Sequence, residues 1–434
     1  MKIPIKSEML ARILSFNNQS NLDRQLRDIK VDEYGIKIMS PKADSFLIKI
    51  ADVSSIAANI LKQEMLSLGG DVAISRQSIT GRDKNTDCLL IGNFVQLKRL
   101  IEKLNRQPFG LANIGKDLAK SVTNYKKDKF LIKCRNYVLN TDRKTLIMGI
   151  INVTDDSFSG DGLLGQVFDK ATKDRMENLV LEKAEQMIEG GADIIDIGAE
   201  STRPGAKPID KKEEIKRISC CLNILVKKFK LPVSVDTYKP EVAKVALDLG
   251  ASIINDITGL KDVKMRKLIA KYRAATIIMH MKGTPRTMQK APQYEFLLEE
   301  VISFLAQRIE LAVDSGISGD SIIIDPGIGF GKTLEHNLEI LRNLKEFKVL
   351  GKPILLGVSR KSFLGKILNA EPDGRIFGTA AAIALSIQNG AHILRVHDVK
   401  QMQEVACVCD AIVKDETKRT VFSRKYAALS KIVN

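Results

Sequence analysis

The sequence predicts an α/β protein in which a (β/α)8 TIM barrel follows a small α/β N-terminal domain. Two observations carry the barrel. From Thr145 onward, eight short runs rich in Ile, Val and Leu alternate with eight amphipathic segments, and polar residues stand at the carboxyl end of every run. A third observation gives the division: the polar, broken stretch between Lys120 and Arg143, with Lys126-Lys127-Asp128-Lys129, separates two differently patterned regions. The expected domains are residues 1–132 and 133–434.

In the first region, Tyr34 to Met39 and Ser45 to Ile50 read as strands. Val53 to Leu68 reads as a helix, with Ile56, Ala57, Ile60, Leu61 and Met65 on one face and a Gly69-Gly70 stop. Asp71 to Ser75 and Cys88 to Ile91 are further strands, and Phe94 to Leu104 and Leu111 to Val122 are helices. No catalytic pattern stands out there. The barrel strands are expected at Leu146–Ile151, Ile194–Ile197, Val233–Val235, Ser252–Ile254, Ala275–Met279, Ile322–Ile324, Ile354–Gly357 and Ile393–Val396. Such continuous apolar runs suit parallel strands buried on both faces. The helices between and after them are Met176–Glu189, Lys211–Lys228, Pro240–Leu249, Val263–Tyr272, Glu295–Ser315, Leu334–Leu344, Gly374–Gln388 and Val399–Ile412. Eight near-even βα units favour a closed barrel over an open doubly wound sheet.

The composition, 44% hydrophobic and 28% charged, suits a globular protein with a sizeable core. No apolar run approaches the roughly 20 residues that span a bilayer. Met1 to Phe16 has scattered charges and no continuous apolar stretch, which speaks against a signal peptide. Six dispersed cysteines without a C-x-x-C pair point to a reduced, cytoplasmic protein. Cys407 and Cys409 fit the core of a helix better than a metal pair. The net charge of +16 comes from dispersed cations, with no Trp, and fits a solubilising surface better than nucleic-acid binding.

In such barrels the active site lies at the carboxyl ends of the strands. After the first strand comes Asn152-Val153-Thr154-Asp155-Asp156-Ser157. The second gives Asp196 and then Glu200-Ser201-Thr202-Arg203-Pro204-Gly205. Asp236 ends the third, Asn255-Asp256 the fourth, and His280 and Lys282 follow the fifth. Asp325 ends the sixth and leads into Pro326-Gly327-Ile328-Gly329-Phe330-Gly331-Lys332. Ser359-Arg360-Lys361-Ser362 and Arg395-Val396-His397-Asp398 complete the ring. One such Asp is often only a cap or turn former, but eight polar strand ends converge on one mouth. Asp236, Asn255 and Asp325 suit the N–H edge of a flat heterocycle. Arg203, Lys361, Arg395 and His397 suit an anion such as pyrophosphate. Asn152 with nearby carboxylates suits Mg2+.

Other chemistries find no motif. Gly327 to Thr333 resembles a phosphate loop, but Pro326 stands where a Walker A pattern needs glycine. The four histidines form no zinc-like group. His336, on a helix face, and His392, opening the last strand, read as ordinary.

The segment Met148-Gly149-Ile150-Ile151-Asn152-Val153-Thr154 through Asp156-Ser157-Phe158-Ser159 resembles the opening signature of dihydropteroate synthases. Asp196 through Gly205 resembles the second signature, with its S-T-R-P-G loop. Ser234-Val235-Asp236-Thr237, Asn255-Asp256, Asp325-Pro326-Gly327, Ser359 to Ser362 and Arg395 to Asp398 match the rest in order.

The resemblance covers about Thr145 to Ile412. It implies condensation of 6-hydroxymethyl-7,8-dihydropterin pyrophosphate with p-aminobenzoate by an SN1-like route, with Mg2+, in a homodimer packed through barrel helices. It implies that Asp236, Asn255, Asp325 and Lys361 bind the pterin. Asn152, Arg395 and His397 hold the pyrophosphate, with Mg2+ beside Asn152. Thr202, Arg203, Pro204, Phe330, Lys361 and Ser362 border the p-aminobenzoate pocket, and Asp325, Lys361, Asp236 and Arg203 are the catalytic set. The loops carrying Asp161 and Arg203 close over the site.

This chain departs from the family pattern at Asp155, where proline is usual, and over Phe158 to Gly162. The residues before Lys133 exceed a minimal family member. The nearest alternative is a methyltransferase that moves a methyl group from a reduced folate to a corrinoid protein on the same pterin-binding barrel. It shares Asp236, Asn255 and Asp325 but needs neither the S-T-R-P-G loop nor the S-R-K-S segment.

Overall fold

The structure, a computed structural model, describes residues 11–15, 19–153, 170–201 and 208–414. The chain divides into two compact units, residues 1–122 and 123–434.

The first unit is a small α/β fold. Helices α1 (Gln19–Asp28) and α2 (Glu33–Met39) precede a three-stranded antiparallel sheet of β1 (Ser45–Ser54), β2 (Asp71–Ala73) and β3 (Asn85–Asn93), in the order β1-β3-β2. Helix α3 (Ser55–Ser67) joins β1 to β2, the short α4 (Arg76–Ile79) joins β2 to β3, and α5 (Phe94–Leu104) and α6 (Leu111–Tyr125) follow. Alternation along β3 buries Cys88 and Leu90 against Leu61, Met65, Leu97 and Leu100. Asn93 and Gln96 form a reciprocal capping box that starts α5. Tyr34 to Met39 is a helix rather than the expected strand. The Asp32 carboxylate accepts hydrogen bonds from the Tyr34 and Gly35 amides, both at 2.9 Å, and this cap overrides the alternating apolar pattern.

The second unit is the barrel. Its strands are β6 (Leu146–Asn152), β7 (Ile194–Gly198), β8 (Val233–Asp236), β9 (Ile253–Asp256), β10 (Ala275–Met279), β11 (Ile322–Asp325), β12 (Leu355–Leu356) and β13 (Ile393–Val396), all parallel. A parallel bridge between Ile324 and Ile354 joins β11 to β12 and closes the ring. Around it lie α7 (Lys170–Glu189), α8 (Lys211–Lys228), α9 (Pro240–Asp248), α10 (Val263–Tyr272), α11 (Leu297–Asp314), α12 (Leu334–Arg342), α13 (Ser362–Leu368), α14 (Ile376–Gln388) and α15 (Val399–Val413). Helix α13 was not anticipated; it fills the turn that Ser362 opens. Cys409 of α15 packs against the barrel core, and Cys407 is half-buried.

A hairpin of β4 (Leu131–Cys134) and β5 (Tyr137–Asn140), also unanticipated, forms the barrel floor. Phe130, Ile132, Cys134 and Leu139 pack against the inward side chains Leu146, Met148, Ile194, Ile277, Ile323 and Ile393. Burying each large apolar side chain there contributes about 1.5–3 kcal/mol. Arg135 fastens the hairpin by donating to the carbonyls of Leu247 and Ala251 at 2.7 and 2.9 Å. The floor seals the end opposite the strand C-termini, so polar function is left to the other mouth. Among the described residues, no helix is long and apolar enough to cross a membrane.

Candidate active site

Alternation decides which polar residues reach the barrel interior. Ile194, Ile253, Ile277, Ile323 and Ile393 belong to the inner core, whereas Ile195, Ile254, Ile278, Ile322 and Leu394 belong to the layer under the helices. Two residues beyond Ile194, Ile253, Ile323 and Ile393, the polar residues Asp196, Asn255, Asp325 and Arg395 face inward. Asp236 is in register with Asn255 and with Gly198. The sequence thus builds a dry lower layer and a polar upper one.

Arg395 is the hub of the upper layer. Its Nε donates to Asp196 Oδ2 at 2.7 Å and its terminal nitrogen to Asp236 Oδ2 at 2.8 Å. Asp196 is fully buried. Burial pushes the Asp236 carboxyl up to about 7, with Arg395 opposing and Asp196 adding to the rise. Burial lowers, and the two carboxylates raise, the Arg395 pKa; the net shift is upward, so the guanidinium stays charged. Asp196 Oδ1 and Ser234 Oγ, both buried, have no hydrogen-bond partner among the described residues. They are adjacent in register and point to a polar ligand edge. Asp196 is the site residue that sequence reasoning quoted but gave no role. The available signal was its two-residue offset from Ile194, the same offset that separates Arg395 from Ile393.

Asp325 stands across the mouth. Its Oδ1 accepts the Gly327 amide at 2.7 Å, and burial raises its pKa against the pull of Lys361. The following loop bends back on β10. Gly327 has φ of 73°, and a Cβ there would lie 1.9 Å from the His280 carbonyl oxygen, so only glycine fits. Lys361 reaches this loop from β12. Its Nζ donates to the Ile328 carbonyl and lies 4.6 Å from the centroid of the Phe330 ring. Burial lowers the Lys361 pKa to about 8, with Asp325 resisting.

The remaining expected residues divide. Asn152 and Asp236 flank Gly198, where a Cβ would lie 3.8 Å from Asn152 Oδ1 and 3.4 Å from Asp236 Cβ, so both face one gap. Asn255 brings its Nδ2 to 3.5 Å from Asp196 Oδ2. His397 Nδ1 meets Ser359 Oγ at 3.1 Å. Ser362 is exposed at the first turn of α13.

Three strand-end residues turn elsewhere. Asp256 binds the Thr258 amide and hydroxyl, Arg360 pairs with Asp398 and Asp373, and Lys282 pairs with Glu300. His280 is buried beside Lys332, a lysine that the sequence analysis names after the sixth strand but gives no role. His336 completes the cap of α12 at Thr333, and the buried His392 accepts the Ile354 amide. Thr202, Arg203 and Pro204, with Thr154 to Gly162 and hence Asp155, Asp156, Ser157 and Asp161, lie outside the described residues.

Comparison with known proteins agrees with this geometry. The family described as pterin binding enzyme matches residues 148–397. The dihydropteroate synthase of Synechocystis is 42% identical over 272 residues, spanning 62% of this chain and 91% of that protein. The crystal structure of the Clostridium difficile dihydropteroate synthase in the presence of pteroic acid is 43% identical, with a TM-score of 0.57, over 62% of this chain and 97% of that one. The Thermus thermophilus enzyme in complex with 4-aminobenzoate is 37% identical, with a TM-score of 0.57, over 65% of this chain and 99% of that one. With the ordered strand-end residues already in place, the chain belongs to the dihydropteroate synthase family of pterin-binding transferases.

Proposed function

We propose that the chain joins 6-hydroxymethyl-7,8-dihydropterin pyrophosphate to p-aminobenzoate, releasing 7,8-dihydropteroate and pyrophosphate, with the inward ring of Asp196, Asp236, Asn255, Asp325, Lys361 and Arg395 as its centre. The observation that carries the reading is Arg395 bridging the fully buried Asp196 and the partly buried Asp236, while Lys361 acts electrostatically on Asp325 at the same mouth. Asp236, Asn255 and Asp325 read the donor edge of the pterin. Arg395, with guanidinium protons beyond those given to Asp196 and Asp236, and His397 meet the pyrophosphate. Lys361, Phe330 and Ser362 border the p-aminobenzoate pocket, and the family resemblance implies the same role for Thr202, Arg203 and Pro204, which lie outside the described residues.

The bond between the pterin methylene carbon and the pyrophosphate oxygen breaks first, and its electron pair leaves with pyrophosphate. The delocalised pterin cation faces the carboxyl groups of Asp325 and Asp236, which stabilise it in their ionised form. The aniline nitrogen then attacks the methylene carbon, and its surplus proton passes to the released pyrophosphate or to water. No nucleophile from the protein is required.

Mg2+ fits this donor set. Among the described residues no trio of acidic, His or Cys side chains is built to hold a metal by itself. The gap at Gly198 instead leaves the Asn152 amide oxygen open toward the mouth, which suits an ion held mainly by water and phosphate oxygens. Asn152 would hold Mg2+ at that gap, and the ion would supply charge neutralisation for the departing pyrophosphate.

The homodimer has support on the outer surface. Phe377 is 86% and Ile412 75% exposed, and Ile367, Leu368, Leu385 and Val408 add apolar surface on α13, α14 and α15. Phe377→Asp combined with Ile412→Asp is expected to weaken self-association by about tenfold or more, seen as a monomer in light scattering with the barrel still folded. A reducing, cytoplasmic setting accords with six cysteines of which none forms a disulfide.

The test is turnover by the full chain with both substrates, following dihydropteroate and pyrophosphate together. Matched release of the two is expected. EDTA should suppress it by about 100-fold or more, and Mg2+ should restore it. A folded protein that binds the pterin yet forms neither product overturns the reading and makes corrinoid methyl transfer the reaction to measure.

A further inference from the structure

The loop after β11 is held at every carbonyl from Gly327 to Gly331. Lys332 takes those of Gly327 and Phe330, Lys361 that of Ile328, Gln289 that of Gly329 at 2.8 Å, and Tyr294 that of Gly331 at 2.8 Å. Asn337 Oδ1 also receives the Gly329 amide at 2.7 Å. Lys332 differs from the other clamps because it is 2% exposed and holds two carbonyls with one ammonium.

Its Nζ lies 3.0 Å from Gly327 O, 3.1 Å from Phe330 O and 2.9 Å from His280 Nδ1. Three protons therefore meet three acceptors, provided that His280 Nδ1 carries a lone pair and its proton sits on Nε2. Burial first, then the Lys332 charge, pushes the His280 pKa down to about 2, so a neutral imidazole fits that role. His280 itself is fixed to β11, since its amide donates to the Asp325 carbonyl at 3.0 Å.

The two carbonyls lead to the chemistry. The Gly327 residue whose carbonyl Lys332 grips is the one whose amide donates to the Asp325 carboxylate. The Phe330 residue gripped at its carbonyl places its ring against the Lys361 ammonium. We infer that Lys332 is a positioning residue of the reaction: it fixes the loop that aims the Asp325 carboxylate and seats Phe330 beside Lys361. This rests on the roles of Asp325 and Lys361 proposed above. It explains why an ionisable lysine is retained, although burial lowers its pKa to about 7 so that the charge is full only on the acid side, where an apolar side chain would avoid the cost of desolvation.

A structural filler and a positioning cation differ in what they do to Asp325. The groups acting on that carboxylate are Lys361, the Gly327 amide, Lys332 and Arg395, and each favours its ionised form. Removing the Lys332 charge therefore moves the acid limb of kcat/KM for the dihydropterin pyrophosphate to higher pH.

The experiment compares the full chain with Lys332→Met, Lys332→Gln and Lys332→Arg, measuring kcat, both KM values, the pH profile and Tm. Lys332→Met is expected to lower kcat/KM by about tenfold or more and to raise the acid limb by about half a pH unit or more. Lys332→Arg, which keeps the charge, should keep the limb near that of the parent. If Lys332→Met does not fold, Lys332→Gln, with its amide donor, is judged by the same criterion. A folded neutral variant with unchanged kcat/KM and acid limb overturns the inference, as does Lys332→Arg shifting the limb as far as a neutral variant. Asp325→Asn measured alongside separates the two layers. Full activity in Asp325→Asn removes the site reading itself, whereas loss there with an unaffected neutral Lys332 variant removes only the role of Lys332.

Discussion

Asp325→Asn is expected to lower kcat/KM for the dihydropterin pyrophosphate by about 100- to 1000-fold while the fold survives. The substitution is nearly isosteric, and the amide oxygen can still accept the Gly327 N–H that Oδ1 now receives at 2.7 Å. What disappears is the negative charge that faces Lys361 and, in the reaction, the developing pterin cation. Stability should move the other way. Burial raises the Asp325 pKa above its ordinary value despite Lys361, so between the unfolded and folded pKa values the native state binds more protons than the unfolded one. Stability then falls as pH rises through that window. Removing the carboxylate removes this pH-dependent penalty, and Asp325→Asn should melt no lower than the parent at neutral pH. Calorimetry and steady-state kinetics on the same preparation check both halves. Parallel losses of Tm and activity would mean that Asp325 serves the fold and not the chemistry.

The barrel was legible because its physics repeats. Each strand needs a short Ile- and Val-rich run and each helix an apolar face; the barrel strands reappear with ends shifted by at most two residues, as from Ser252–Ile254 to Ile253–Asp256, whereas the helix expected from Met176 begins at Lys170. The inward ring was legible through the two-residue period that links Ile323 to Asp325 and Ile393 to Arg395.

What escaped depended on contacts distant in sequence or on local capping. The floor hairpin is stabilised by side chains from seven other strands, and its own eight strand residues carry no strong pattern. Helix α2 looked like a strand until the Asp32 cap was seen. The pairing of Arg395 with Asp196 spans 199 positions, and that of Lys332 with His280 spans 52. Neither spacing is a motif. Lys332 ends a glycine-rich run that fails the Walker A pattern at Pro326, and its burial against His280 gives the role that the sequence did not.

Arg395→Met is expected to damage both stability and turnover, by separable mechanisms. The guanidinium neutralises two carboxylates, one of them fully buried, so its removal strands negative charge in the interior. Breaking a buried pair in this way costs about 3–5 kcal/mol, because the partner is left without compensation. The protein can escape part of that cost by protonation. Arg395 is the group that holds the Asp236 pKa down against burial and Asp196, so in Arg395→Met the carboxyl shifts further up and the deficit should shrink as the pH is lowered.

Adding Asp196→Asn removes one stranded charge together with its partner. The double variant should therefore recover stability relative to Arg395→Met alone, a coupling of about 1–3 kcal/mol measurable by urea unfolding in a double-mutant cycle. Turnover should not recover with it. Asp236 still lacks its cation, and the pyrophosphate still lacks the guanidinium that the reading gives it. Recovery of stability without activity assigns Arg395 a chemical role beyond neutralising the core. Joint recovery would make the bridge a structural clamp and leave His397 and Mg2+ to meet the leaving group.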